Sequence, residues 1–149
     1  MTNKYKIGFD MRALLLFLII MAPNFIWYAY PAPNDILRAD SITQTIDSIT
    51  SVLQVLMIIA LCALKNIESK KLSATPLIIG AGVCCILYYI SWFAYYNGFV
   101  GKVVILGLTI PPSIAFLLYA IDRKNLFAGL LSILFTLGHA IYAAANFIL

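Results

Sequence analysis

The chain has 149 residues, of which 63% are hydrophobic and 11% charged, and its mean hydropathy is +0.97. Soluble domains carry roughly 25% charged residues, so the composition excludes an ordinary soluble enzyme, a disordered chain, a coiled coil and a nucleic-acid binder with a basic surface. The net charge is +4. In so apolar a chain, an excess of Lys and Arg is interpreted first as a signal of orientation in a membrane and only then as a sign of an acidic binding partner.

Five segments are long and apolar enough to cross a membrane. A spanning helix needs about 20 apolar residues, because about 30 Å of hydrocarbon is crossed at about 1.5 Å per residue. The sequence therefore predicts an all-α polytopic helix bundle, a single transmembrane domain over residues 1–149. Its five transmembrane helices are predicted at 12–30, 46–64, 77–96, 103–121 and 126–149.

Proline interrupts the first and fourth segments near their middles, at Pro23 and at Pro111–Pro112. A proline has no N–H and displaces the carbonyl four residues before it. Helices 1 and 4 are therefore predicted to be kinked by proline, with freed carbonyl groups near Ile19, Gly107 and Leu108. Inside a membrane such groups need a partner from a neighbouring helix or from water.

The orientation follows from the bias of Lys and Arg among the short connections, since the richer side is normally cytoplasmic. Two basic residues, Arg38 and Lys102, fall on one side. The other eight fall on the opposite side: Lys4, Lys6, Arg12, Lys65, Lys70, Lys71, Arg123 and Lys124. We expect the N-terminus inside and the C-terminus outside.

Polar residues within the segments are the strongest pointer to a site, because they are costly in hydrocarbon. At 100° per residue, the fifth segment presents one small, polar face opposite its leucines. That face, which must look into the bundle, consists of Ser132, Thr136, His139, Ala143 and Asn146.

Depth along the helices brings polar side chains from different segments to the same level. Some of these side chains lie within roughly 5 Å of the midplane at helical rise, and others lie above it toward the outside. Together they are predicted to line one polar and aromatic pocket. The pocket should open outward, because the cytoplasmic halves are nearly pure hydrocarbon. Its predicted ligand-binding residues are Asn24, Asp47, Gln54, Tyr88, Trp92, His139, Tyr142 and Asn146.

Individual members of this set have alternative interpretations. His139 either packs between helices, bonded to Gln54 or a tyrosine, or accepts a proton or contacts a ligand. Asp47 either caps the second helix or is a headgroup-level charge favoured by the helix dipole, or it acts as a counter-ion for a cationic ligand that enters from outside. The outer loop carries Asp35 and Asp40 against Arg38, so the mouth is predicted to be mildly acidic.

No motif in the chain predicts catalysis, a metal site or a cofactor. The three cysteines, Cys62, Cys84 and Cys85, lie inside the predicted segments and are expected to behave as small apolar residues. None has a metal-ligand spacing with His139, the single histidine.

Three short motifs carry a resemblance: Pro23-Asn24-x-x-Trp27, Pro111-Pro112-Ser113 and Gly138-His139. Together they resemble small five-span integral membrane proteins of Gram-positive bacteria, a group with no assigned activity. The resemblance implies a bacterial cytoplasmic (inner) membrane and no particular chemistry.

Three functions agree with these features. The first is binding or translocation of a small, cationic or amphipathic ligand that enters from the outer side. The second is a non-catalytic accessory or immunity-type subunit, and the third is a membrane-embedded enzyme that uses His139 on a lipid-like substrate. The expected partners are the lipid bilayer and that ligand, with no nucleic acid; a homo-oligomer or a protein partner stays open.

Overall fold

A computed structural model describes residues 4–69 and 73–149, and within them the chain is helical apart from short connections. Five helices of this part are long and apolar enough to cross a membrane, which confirms the predicted number and indicates a multi-pass membrane protein. They are α1 (Met11–Ala29), α2 (Gln44–Ala63), α3 (Pro76–Tyr96), α4 (Lys102–Asp122) and α5 (Leu126–Ala143). A π-helical turn, Ala144–Ile148, continues α5.

Side-chain caps explain where three of the helices begin. The carboxylate of Asp10 accepts hydrogen bonds from the backbone N–H groups of Arg12 and Ala13 at the start of α1. Thr75 caps α3, with proline at its first position, and Asn125 caps α5. Such caps satisfy N–H groups that have no partner within the helix.

The bundle is built on four closely packed helices. α3 packs along α4, α4 along α5, and α5 along α2, whereas α1 lies across α2, α3 and α4 with fewer close backbone approaches. Two glycines permit the tightest crossings, because a Cβ at Gly107 would collide with Ser91 Oγ, and one at Gly138 would collide with Thr50 Oγ1.

Each of α3 and α5 buries one face and exposes the other, and on α5 the buried residues Ser132 and Ala143 belong to the predicted small, polar face. On α3, Tyr88, Trp92 and Tyr95 are buried. The apolar side chains opposite these faces are exposed on the outside of the bundle, as expected for helices that meet lipid: Ile79, Val83, Leu87 and Ile90 on α3, and Leu130, Leu134, Leu137 and Ile141 on α5.

The prolines do not interrupt the hydrogen-bonded helices, which continue through Pro23, Pro111 and Pro112. The carbonyl of Ile19, four residues before Pro23, accepts a hydrogen bond of 2.7 Å from the hydroxyl of Tyr89 on α3. A freed acceptor is thus bonded by a neighbouring helix, as the sequence predicts.

A small antiparallel sheet lies at one end of the bundle and was not predicted. Strand β1 (Tyr5–Ile7) precedes α1 and pairs with β2 (Leu64–Asn66), which follows α2. The hydroxyl of Tyr5 and the amide of Asn66 both donate to the carbonyl of Lys124. We call this the strand end; the opposite loop end carries residues 30–43 and their 3₁₀ turn, Ile36–Arg38.

The basic residues that the structure describes are divided unequally between the two ends of the bundle. Arg38 and Lys102 lie at the loop end, where the ammonium of Lys102 donates to the carbonyl of Ile148. Lys70 and Lys71 lie outside the described residues. The basic residues at the strand end are Lys4, Lys6, Arg12, Lys65, Arg123 and Lys124.

Candidate functional site

An inner cavity of about 160 Å³ lies among the five helices. Each helix contributes to its lining: Asn24 from α1, Gln54 from α2, Tyr88 from α3, Pro112 from α4 and His139 from α5. The structure thus brings together the four polar residues that the depth count placed near the midplane.

Asn24 and Tyr88 form a polar contact across the cavity. The Asn24 amide donates to the Tyr88 hydroxyl over 2.6 Å and to the carbonyl of Ile20 over 3.2 Å. Tyr88 is only 2% exposed. The Gln54 amide nitrogen lies 3.8 Å from the sulfur of Met21, which is a weak acceptor.

The imidazole of His139 is held inside the bundle, with its Nδ1 atom buried. The imidazole packs against Phe135, with ring centroids 4.3 Å apart.

A second pocket of about 180 Å³ adjoins the first on the side of the loop end. Asp47 and Ser51 of α2 and Tyr142 of α5 line it. Gln54 and His139 line both spaces, so these two side chains stand between the outer pocket and the inner cavity.

Asp47 supplies negative charge to the outer pocket. It lies in the first turn of α2, whose N-cap residue is Thr43, so Asp47 is not the cap. Its carboxylate accepts hydrogen bonds from the hydroxyls of Ser41 and Thr43, at 2.5 and 2.9 Å. Two neutral donors orient the carboxylate without cancelling its charge.

Two predicted residues lie outside both spaces. Trp92 packs among aromatic rings, with the Tyr95 ring centroid 5.7 Å away and Trp27 at 6.2 Å. Asn146 fastens the end of α5 to the loop, because it accepts from the N–H of Ile42 and donates to the hydroxyl of Thr43, both at 2.9 Å. A helical wheel cannot reveal this, since it does not show how the connecting loop folds.

Asp35, which was expected to make the mouth acidic, is instead bonded within the loop end. Its carboxylate accepts hydrogen bonds from Trp27 Nε1, the Tyr95 hydroxyl and Arg38 Nε, at 2.9, 2.8 and 2.9 Å. Burial raises the pKa of Asp35, but these hydrogen bonds outweigh burial and hold the net pKa below its ordinary value. Since Arg38 neutralises Asp35, the negative charge of the mouth rests on Asp40 and Asp47.

The strand end contains polar residues that the sequence reasoning missed. The carboxylate of Asp10 accepts from the Tyr119 hydroxyl at 3.2 Å and lies 3.8 Å from Arg123 Nε. The amide of Asn125 donates to the carbonyls of Ala60 and Leu64, both at 2.9 Å. These bonds tie α1, α2, α4 and α5 together below the cavity; in sequence, Asp10 and Asn125 show only a capping signal.

Within residues 4–69 and 73–149, no group of three His, Cys, Asp or Glu side chains is placed to hold a metal ion. The chain matches no protein-family model, no curated protein and no solved structure. Function is therefore inferred from the geometry of the two adjoining spaces.

Proposed function

We propose that this multi-pass protein binds a small cationic or amphipathic molecule in the two adjoining spaces, entering from the outer side of a bacterial cytoplasmic membrane. The observation that carries the proposal is that Gln54 and His139 line both spaces. A polar route thus leads from Asp47 at the loop end to Asn24 and Tyr88 inside the bundle.

The proposed orientation places the loop end outside. Basic residues are concentrated at the strand end, and the positive-inside rule assigns that end to the cytoplasm. The N-terminus is then inside and the C-terminus outside. We further propose that α1 and α4 kink at their prolines, which makes room for the cavity.

The lining fits a ligand with one positive group and an apolar remainder. Asp47 attracts a cation, while the amide of Gln54 offers hydrogen bonds and the imidazole of His139 lines both spaces. Tyr88, Phe116 and Phe135 supply aromatic surface. Small-ligand sites combine a mostly apolar lining with a few placed polar groups. The volumes admit a few water molecules or a small organic ion.

Thermal unfolding of the detergent-solubilised protein with choline, and with its uncharged carbon isostere 3,3-dimethyl-1-butanol, tests this function. Dodecyltrimethylammonium serves as the amphipathic probe. Choline or dodecyltrimethylammonium should raise the unfolding temperature, and the neutral isostere should not. Gln54→Ala and His139→Ala should leave the protein folded and reduce the cation-dependent rise.

Ser48→Ala is the matched control, because Ser48 is exposed on α2 and its hydroxyl bonds to the carbonyl of Gln44 in its own helix. It should respond to the cations as the unmodified protein does. Unchanged responses in both Gln54→Ala and His139→Ala would remove the assignment.

An enzymatic function is the second candidate, because Asp47 and His139 line the same outer pocket. Acid–base catalysis needs two groups that reach the same substrate atom. In the described part of the chain no hydrogen bond joins these side chains, and Asp47 is already bonded to two hydroxyls. The arrangement therefore favours binding over catalysis.

A further inference from the structure

A second concave surface lies away from the proposed ligand site, between α4 and α5 at the strand end. This groove has a volume of about 340 Å³ and is lined almost wholly by apolar side chains, with one lysine at its end. Its main lining residues are Leu117, Ile121, Lys124, Gly129, Leu130 and Ile133.

The groove opens toward the lipid-facing surface of the bundle. Ile121, Leu130 and Ile133, which line it, are each about half exposed. On α5 it extends from Leu126 to Ile133, which is about 10 Å at helical rise. The groove therefore begins at a connection between two spanning helices and extends into the hydrocarbon, which matches the shape of a lipid with a polar head and an acyl chain.

The polar end of the groove is positively charged. Lys124 is exposed in the connection between α4 and α5, and within the described residues its ammonium makes no ion pair. Of the neighbouring carboxylates, Glu68 pairs with Lys4, and Asp122 accepts a hydrogen bond from the neutral hydroxyl of Thr75 and keeps its negative charge. Lys124 is therefore available to an anion at the headgroup level.

Within the described residues, basic side chains outnumber carboxylates at the strand end. Of its carboxylates, Asp10 is bonded to Tyr119 and lies beside Arg123. Further cations lie at the same end of the bundle, and basic clusters at a membrane surface attract acidic lipids. Within residues 4–69 and 73–149, the other cations of this end are Lys4, Lys6, Arg12, Lys65 and Arg123.

We infer that the groove between α4 and α5 binds an anionic glycerophospholipid, with one acyl chain along Leu117–Ile133 and the phosphate at Lys124. The charge of Lys124 selects the headgroup, whereas the apolar walls accept any chain. Lipid bound here would cover the seam between α4 and α5 at the strand end.

Native mass spectrometry of the purified full-length protein tests the site, with phosphatidylglycerol and phosphatidylcholine of identical acyl chains offered at equal concentrations. Phosphatidylglycerol should be retained about fivefold more strongly, the factor expected for one lysine near a lipid surface. Lys124→Asn should abolish most of this preference. Asparagine suits the position, because Lys124 has a φ of 52° and asparagine tolerates that conformation.

Lys6→Asn is the matched control, since it removes one positive charge from the same end in a residue that does not line the groove. It should keep the preference for phosphatidylglycerol. Gly129→Leu should reduce retention of both lipids, because a Cβ at Gly129 meets no atom within 4 Å and the added side chain can occupy the groove without a clash.

Equal retention of the two lipids by the unmodified protein would overturn the inference. An equal loss of the preference for phosphatidylglycerol in Lys124→Asn and Lys6→Asn would also overturn the inference, because it would indicate an effect of general surface charge and not a specific site. The comparison of these two variants stands whether or not Gly129→Leu is recovered folded.

Discussion

Asp35 joins three segments at the loop end. Its carboxylate accepts hydrogen bonds from Trp27 on α1 and Tyr95 on α3, and from Arg38 and the N–H of Ala32 in the loop. The guanidinium of Arg38 also lies 4.8 Å from the centre of the Trp27 ring. Hydrogen bonds to a charged group are stronger than neutral ones, so this carboxylate fixes the loop over the ends of α1 and α3.

Replacement of Asp35 by Asn should lower the free energy of unfolding at pH 7 by about 1–3 kcal/mol, because hydrogen bonds to a charged acceptor become neutral ones. The folded-state pKa of Asp35 lies below its ordinary value. Its contribution is therefore present above the unfolded-state pKa of about 3.9 and is lost as the pH falls through the folded-state pKa. Thermal unfolding between pH 7 and pH 3 measures both effects.

The difference between the unmodified protein and Asp35→Asn should narrow below about pH 4. Asp40→Asn is the control, since Asp40 is exposed in the same loop. If the two variants gave the same stability at every pH, the bonds of Asp35 would not hold the loop.

The contacts of some residues could be predicted from the sequence, and those of others could not. Asn24, Gln54, Tyr88 and His139 were predicted to meet because each lies at a countable depth on a continuous helix. The contacts of Asp35 were not predicted, because its partner Tyr95 lies 60 residues away in sequence. The nearby Arg38 instead indicated an ordinary solvated ion pair with Asp35. Long-range bonds of loop residues depend on the path of the loop, which periodicity does not describe.

Close helix packing depends on glycine at two crossings. Gly107 on α4 faces Ser91 on α3, and Gly138 on α5 faces Thr50 on α2. In each case the opposing hydroxyl bonds within its own helix, Ser91 to the carbonyl of Leu87 and Thr50 to that of Ile46. Small residues at such positions let helices approach in a membrane, where hydrophobic burial does not drive association.

Gly107→Ala and Gly138→Ala should each lower the free energy of unfolding by about 1–3 kcal/mol, the usual cost of an added methyl in a packed interior. Unfolding in detergent gives the measurement. Gly82→Ala on α3 is the matched control, because a Cβ there meets nothing within 4 Å. It should be neutral or stabilising, since alanine favours helix over glycine.

Adding Ser91→Ala should partly restore the stability of the Gly107→Ala variant, because it removes the hydroxyl that the new methyl would meet. The restoration should be partial, since Cβ of residue 91 would still lie 3.0 Å from the methyl carbon at position 107. A Gly107→Ala variant as stable as Gly82→Ala would contradict close packing at this crossing.

Element boundaries were predictable where apolar runs end, and less so elsewhere. The predicted segment 12–30 corresponds to Met11–Ala29, but the last segment changes to a π-helical turn after Ala143. β1 and β2 left no signal, because each has three residues and pairs charged or polar positions such as Lys6 with Lys65.

The two ends of the bundle differ: hydrogen bonds link the helices at the strand end, whereas a pocket lies toward the loop end. At the strand end, bonds around Asp10 and Asn125 connect four helices. Toward the loop end, the outer pocket begins at Asp47 and adjoins the inner cavity. This difference supports entry from the loop end, which is the end that we propose lies outside the cell on the basis of the positive-inside rule.

The central claim is that water reaches Gln54 and His139 from the outer side. It can be tested in a variant whose three cysteines are replaced by alanine and which carries one new cysteine, from Gln54→Cys or His139→Cys. A charged, membrane-impermeant methanethiosulfonate is added to intact cells, because a thiol reacts as thiolate and needs water to ionise. Asp40→Cys reports whether the loop end is outside.

Val55→Cys and Leu137→Cys are the controls for depth, since Val55 and Leu137 neighbour the test positions in sequence but are exposed on the outside of the bundle. Asp40→Cys, Gln54→Cys and His139→Cys should react with the reagent, and the two controls should not. If Asp40→Cys reacts while Gln54→Cys and His139→Cys stay as unreactive as the controls, the interior is closed to the outer medium and the proposed binding site does not exist.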